Sequence, residues 1–147
     1  MKTTNKIIEI KTKEQFDIID LTDKVISFIE KADIKDGLVN IQTLHTTATV
    51  FVQENEPLLL KDIRKYLERI APQNIEYGHD DFGKRTVNLC DDECRNGHSH
   101  CKALSLPVNL TLNLIDGKLQ LGQWQKILFI ELDRTRERKV QIQIIGG

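Results

Sequence analysis

Residues 109–118, Asn-Leu-Thr-Leu-Asn-Leu-Ile-Asp-Gly-Lys, carry the clearest structural signal in the chain. Leu110, Leu112 and Leu114 alternate with Thr111 and Asn113, the period-two pattern of a strand with one face on a core. Ile115-Asp116-Gly117-Lys118 then reads as a two-residue hairpin, because Asp-Gly tolerates the positive backbone angles such turns need. Downstream, residues 123–132 (Gln-Trp-Gln-Lys-Ile-Leu-Phe-Ile-Glu-Leu) are apolar on both faces in the middle, which predicts a central strand. Val140, Ile142 and Ile144 alternate with Gln141 and Gln143, which predicts a half-exposed last strand. Together these segments predict an antiparallel meander.

Working back toward the N-terminus, residues 5–11, 15–19, 38–44 and 48–53 also read as strands. Thr22 or Asp20 can cap a first helix running to about Lys31, with Val25, Ile26 and Ile29 on one face. Pro57 suits the first turn of a second helix. Leu59, Ile63, Leu67 and Ile70 form its apolar stripe, flanked by Leu60 and Tyr66, and Pro72 stops it. Residues 73–94 are polar and irregular, and a short helix is expected near Asn96–Ser105. The pattern predicts an α+β fold: an antiparallel β-sheet or sandwich with two main helices packed on one side, in one domain over 1–147.

Composition sets the outer limits. The 147 residues are 39% hydrophobic and 29% charged, with 21 Lys+Arg against 22 Asp+Glu. A domain of this size buries roughly 68–70% of the surface its unfolded chain exposes. The balanced charge gives no electrostatic footprint for nucleic acid or an anionic membrane. No apolar run approaches the ~18 residues of a membrane-spanning helix. The start lacks the apolar stretch of an export signal, and Cys90, Cys94 and Cys101 make an odd count. Both features predict a cytoplasmic protein.

The candidate chemistry lies between positions 45 and 100. His45, His79, His98 and His100 each stand among small or polar residues, and three imidazoles plus a water make an open, reactive zinc site. The cysteines crowd too closely with His98 and His100 for a zinc knuckle, so they are expected to be small buried apolar residues. Asp80, Asp81, Asp91, Asp92 and Glu93 are either a solvated, helix-capping set or partners that orient imidazoles. Glu131 shares a strand face with Ile127 and Phe129, so its carboxylate must be paired, hydrogen-bonded or protonated. Arg136 and Arg138 can supply that pairing; a structural ion pair and an active-site group both remain open.

Three segments together resemble the YjbQ family, UPF0047. They are His45-Thr46-Thr47-Ala48 followed by Gln53-Glu54-Asn55-Glu56, then Asn96-Gly97-His98-Ser99-His100, then Leu121-Gly122-Gln123-Trp124-Gln125 leading to Glu131-Leu132-Asp133. The family's usual Gly-Thr-Trp-Gln reads Gly122-Gln123-Trp124-Gln125 here, Arg134-Thr135 replaces a frequent Gly-Pro, and Cys94 stands where a basic residue is common. The resemblance implies an α+β fold, a homotrimer and a histidine-lined pocket that holds a divalent metal in some members, zinc foremost and magnesium as the alternative. It makes His45, His79 and His100 the expected metal ligands, with His98 as a further candidate. It places Glu54, Asn55 and Glu131 at the pocket as catalytic candidates. The implied activity is metal-assisted chemistry on a small phosphorylated or heterocyclic substrate, with secondary thiamine-phosphate synthase activity as the named case. Lys84, Arg85 or Lys102 would help neutralise a diphosphate. The alternatives are a zinc-dependent hydrolase and a non-catalytic trimeric metal- or ligand-binding protein.

Overall fold

A computed structural model describes residues 1–147. In chain order the elements are β1 (Lys2–Lys11), β2 (Ile18–Asp20), α1 (Thr22–Ile29), β3 (Gly37–Thr43), β4 (Ala48–Gln53) and α2 (Pro57–Ile70). A 3₁₀ turn (Gly78–Asp80), α3 (Gly97–Ala103), β5 (Asn109–Ile115), β6 (Lys118–Leu119), β7 (Lys126–Glu131) and β8 (Glu137–Gly146) follow. The strands form two antiparallel sheets, one ordered β1-β8-β3-β5-β6 and one ordered β2-β7-β4. The α+β sandwich follows from the alternation in these strands: Ile8, Val39, Leu114 and Ile142 of the larger sheet pack against Val50, Ile127 and Phe129 of the smaller.

The 109–118 segment forms the predicted hairpin, with Asp116 at φ 51° and Gly117 at φ 71°. Both central residues have positive φ, as a type I′ turn requires. The rest of the expected meander divides between the two sheets. β7 lies at the centre of the smaller sheet because both of its faces need apolar cover. Ile127 and Phe129 enter the inter-sheet core, while Leu128 and Ile130 point the other way, toward Leu67 of α2. β8 instead sits between β1 and β3, with Val140, Ile142 and Ile144 inward and Gln141 and Gln143 outward.

α1 places Val25 and Ile29 in the main core. α2 begins at Pro57 and is capped by Glu56, whose carboxylate accepts the Leu58 and Leu59 amides at 2.9 and 2.8 Å. Leu67 is its buried residue, with Leu60 and Ile63 half-buried beside it; Tyr66 and Ile70 remain exposed. α3 lies on the same outer side of the smaller sheet.

Two backbones meet closely where Gly37 pairs with Gly146. A Cβ on Gly37 would lie 2.1 Å from the Ile145 carbonyl oxygen, and backbone cannot yield as a flexible side chain does. Gly37→Ala is therefore expected to cost about 1–3 kcal/mol, the usual range for overpacking. Chemical denaturation of the variant against wild type checks it.

Candidate functional site

Alternation along β7 carries Glu131 into the inter-sheet core, and its side chain is 0% exposed. A carboxylate there needs every acceptor site used. Arg138 of β8 donates Nε to Oε2 at 2.7 Å and Nη2 to Oε1 at 2.5 Å. The Thr12 hydroxyl donates to Oε2 at 3.1 Å, and the Asp133 amide to Oε1 at 3.0 Å. Four donors therefore satisfy one carboxylate. Arg138 also donates to the Thr47 hydroxyl at 2.9 Å, just ahead of β4. Of the two arginines offered by the sequence, Arg138 takes Glu131 and Arg136 takes Asp133, at 2.9 Å. Burial raises the Asp133 carboxyl, but hydrogen bonds from Arg136 and Asn96 outweigh it and hold the group below its ordinary value.

The four histidines fall into three settings. His79 and His100 stand together, with ring centroids 4.5 Å apart in an edge-on arrangement. They line a polar cavity of about 610 Å³ with Thr46, Lys84, Arg85 and Glu93. The Nε2 of His79 is buried and has no hydrogen-bond partner. Burial first, and then His79, keep the His100 imidazole below its ordinary pKa, so it is held neutral with a lone pair to offer.

His45 lies in a different cavity, of about 290 Å³, with Glu9, Lys11 and Arg138. Its Nε2 accepts the Lys139 amide at 2.7 Å. That bond uses the nitrogen's lone pair and leaves the ring proton on Nδ1.

His98 is held from beneath by Lys102, one turn along α3. The Lys102 ammonium is fully buried and lies 2.9 Å from a Glu68 oxygen, 2.8 Å from the Ala71 carbonyl and 3.0 Å from His98 Nδ1. An ammonium has only donors, so Nδ1 accepts and Nε2 carries the proton. His98 thus presents a donor, not a metal-binding lone pair, to a second cavity of about 930 Å³ that it lines with Tyr77, Phe82 and Arg95.

Lys102, expected to meet a diphosphate, instead positions His98; the i, i+4 spacing of the pair on a short helix is the sequence signal that points to it. Arg85 donates to the Val87 and Asn88 carbonyls at 3.3 and 2.7 Å and pairs with Glu93 at 3.2 Å, so it organises the 79–93 loop. Lys84 is 86% exposed on its side chain and pairs with Asp81 at 2.9 Å, an exposed bridge that costs little to break when the side chain turns toward the cavity.

The acidic loop serves mainly as a cap. Asp80 Oδ1 accepts the Asn96 and Gly97 amides at 3.0 and 2.9 Å at the start of α3. Gly97 is needed there because a Cβ would meet Tyr77 at 2.5 Å. Cys90 and Cys101 are exposed and Cys94 is half-buried; all three are free thiols. The expected burial fails because they lie on the loop and on the outer side of α3. Glu54 and Asn55 follow β4, whereas the His45–Thr46 segment precedes it. Six strand residues at about 3.3 Å each put roughly 20 Å between the two groups. Asn55 instead donates to Asp20 at 3.3 Å. Nowhere in the chain do three or more His, Cys, Asp or Glu side chains converge as a metal site would.

The chain matches the family described as UPF0047 protein YjbQ-like over residues 6–147. A UPF0047 protein of Methanothermobacter thermautotrophicus is 33% identical over 146 residues, covering 99% of this chain and 94% of that protein. Among solved structures, a protein of unknown function from Sulfolobus solfataricus P2, described as YbjQ-like, superposes with a TM-score of 0.87 at 33% identity and 99% coverage of both chains. A hypothetical protein from Aeropyrum pernix K1 gives 0.84 at 29% identity, with both chains fully covered. The chain belongs to the UPF0047, YjbQ-like family.

Two predictions follow from the buried pair and from His45. Arg138→Met leaves Glu131 charged and unpaired in the core, at an expected cost of about 3–5 kcal/mol. The double variant with Glu131→Gln regains most of that in denaturant titration. Burial first, and then the Arg138 charge, lower the His45 pKa from 6.5. Its contribution to stability is therefore complete above about pH 6.5 and is lost as pH falls through the lowered native value. Unfolding followed across that range is expected to weaken in acid, and less so in His45→Gln, which keeps an acceptor for the Lys139 amide and does not titrate.

Proposed function

We propose that the cavity around His79 and His100 is the active site of a metal-assisted enzyme acting on a small phosphorylated substrate. The observation that carries this reading is the buried, partnerless Nε2 of His79 beside the neutral ring of His100. A buried polar atom without a partner costs about 1–3 kcal/mol, and such a cost is commonly kept where a ligand or ion supplies the missing bond.

The residues present fit two of a metal's ligands. His79 and His100 would hold the ion; His45 and His98 have their lone pairs engaged and are left out of the set. A divalent cation there supplies positive charge for phosphate oxygens and a polarised leaving group. Zinc suits imidazole nitrogen, and magnesium is the alternative where phosphate oxygens provide most ligands.

The protein's own groups supply the rest. Lys84 swings in to meet phosphate charge. Arg85 keeps the loop in place through backbone carbonyls. Thr46 offers a hydroxyl from the segment that the Arg138–Thr47 bond fixes. Orientation of two reactants in such a cavity can lower a barrier substantially without an activated nucleophile. The named reaction is secondary thiamine-phosphate synthesis, in which a hydroxymethylpyrimidine diphosphate joins a thiazole phosphate and pyrophosphate leaves.

Zinc titration of metal-free protein tests the site. His79→Ala and His100→Ala are each expected to weaken binding by more than the roughly 10–100-fold that loss of an outer partner causes. His98→Ala is expected to leave metal affinity near wild type. Pyrophosphate release from the paired substrates, lost in the first two variants, tests the reaction. Folded His79→Ala protein that binds zinc as wild type does overturns the assignment.

A further inference from the structure

The cavity of about 930 Å³ beside His98 takes no part in holding the metal. Its volume falls in the roughly 300–1,000 Å³ range of small-molecule sites. His98 lines it and is 3% exposed. Lys102, Ser99 and Gln15 all approach Nδ1, at 3.0, 3.4 and 3.5 Å, and no group of the protein bonds Nε2. The Nε2–H is therefore a donor on a buried side chain with no protein acceptor. Leaving such a donor unmet is costly, and a ligand acceptor removes the cost.

The donor is also rigid. Glu68 and the Ala71 carbonyl hold the Lys102 ammonium, so the His98 ring cannot turn without leaving that buried cation a partner short. Tyr77 meets the ring edge-on, with centroids 6.5 Å apart, and its hydroxyl donates to the Pro72 carbonyl at 2.7 Å. With the hydroxyl spent, Tyr77 offers the cavity ring surface. Phe82 and Ile75 are 42% and 54% exposed on the same cavity. Arg95, also in the lining, makes no ion pair or hydrogen bond within the chain, and a guanidinium plane stacks on flat rings. Charge disfavours a phosphate here. The carboxylates of Glu76, Asp80 and Asp81 outnumber the cations of Lys84 and Arg95, and Lys84 is already paired with Asp81.

We propose that this cavity binds an uncharged planar heterocycle. A ring nitrogen or carbonyl of that molecule accepts from His98 Nε2–H, and its face stacks on Tyr77, Phe82 and Arg95. The cavity adjoins the one around His79 and His100, with Gly78 and Lys84 common to both. A ring bound here lies next to whatever phosphate the first cavity holds. Ring binding requires no zinc at His79 and His100, so the two assignments stand or fall separately.

NMR titration of metal-free protein labelled with nitrogen-15 histidine tests it. Cytosine, nicotinamide and methylthiazole are the probes; toluene and pyrophosphate are the controls. At least one heterocycle is expected to shift the His98 Nε2 signal saturably at millimolar concentration. Toluene, which has a ring and no acceptor, is expected to bind roughly tenfold more weakly, and pyrophosphate to leave the signal in place. His98→Phe keeps a ring and removes the donor. Ligand-observed saturation transfer on it is expected to show the heterocycle weakened roughly tenfold and toluene unchanged. Should that variant fail to fold, Phe82→Ala on the exposed loop is expected to weaken both by roughly fivefold or more, as loss of a stacking ring does, and to keep wild-type zinc affinity. No saturable His98 shift from any of the three heterocycles overturns the proposal. Toluene binding as tightly as the heterocycles, or pyrophosphate displacing them from His98, also overturns it.

Discussion

The pairing of Glu131 with Arg138 is the constraint around which the molecule is arranged. Glu131 ends a strand of the smaller sheet, Arg138 begins a strand of the larger one, and the two meet in the space between. Taking both charges out of water is costly, and only complete hydrogen bonding offsets it. That requirement recruits Thr12 after β1, Thr47 before β4 and the amide of Asp133. The pair thereby fixes the ends of strands in both sheets.

The consequences reach the histidines along hydrogen bonds. Thr47 adjoins Thr46, which lines the cavity, and His45, which accepts the Lys139 amide beside Arg138. Asp133, held by Arg136, accepts from Asn96 at the start of α3. α3 then carries His98 and His100, two positions apart and therefore on different faces of the helix. A second buried cation, Lys102, locks His98 from below and ties α3 to the end of α2. The same rule operates twice: a charge withdrawn from water must be surrounded by partners, and those partners become rigid. The site is built on groups whose positions the core dictates.

Much of this was legible in the residues. The Asp-Gly hairpin, the doubly apolar strand at 126–131, the Pro57 helix and the short helix holding His98 and His100 follow from local rules of periodicity, turn chemistry and capping. The inward face of Glu131 followed from alternation, and an arginine partner was evident nearby. Which arginine it would be was not, because Arg136 and Arg138 lie close together in sequence and only the crossing of the two sheets separates them. The grouping of the histidines was less legible still. Sequence proximity joined His98 to His100, and family resemblance joined His45 to both. The fold instead pairs His79 with His100, engages His45 with a backbone amide and gives His98 to a lysine.

The sequence by itself determined the elements, their alternation and the family, since each depends on neighbours a few positions away. Only the tertiary structure decided how the last strands divide between two sheets. β7 is apolar on both faces and must be covered on both, whereas β8 is apolar on one and can leave its amide-rich face outward. Only the tertiary structure decided which imidazole nitrogens remain free, because a lone pair is engaged or available according to what the fold brings within about 3 Å of it.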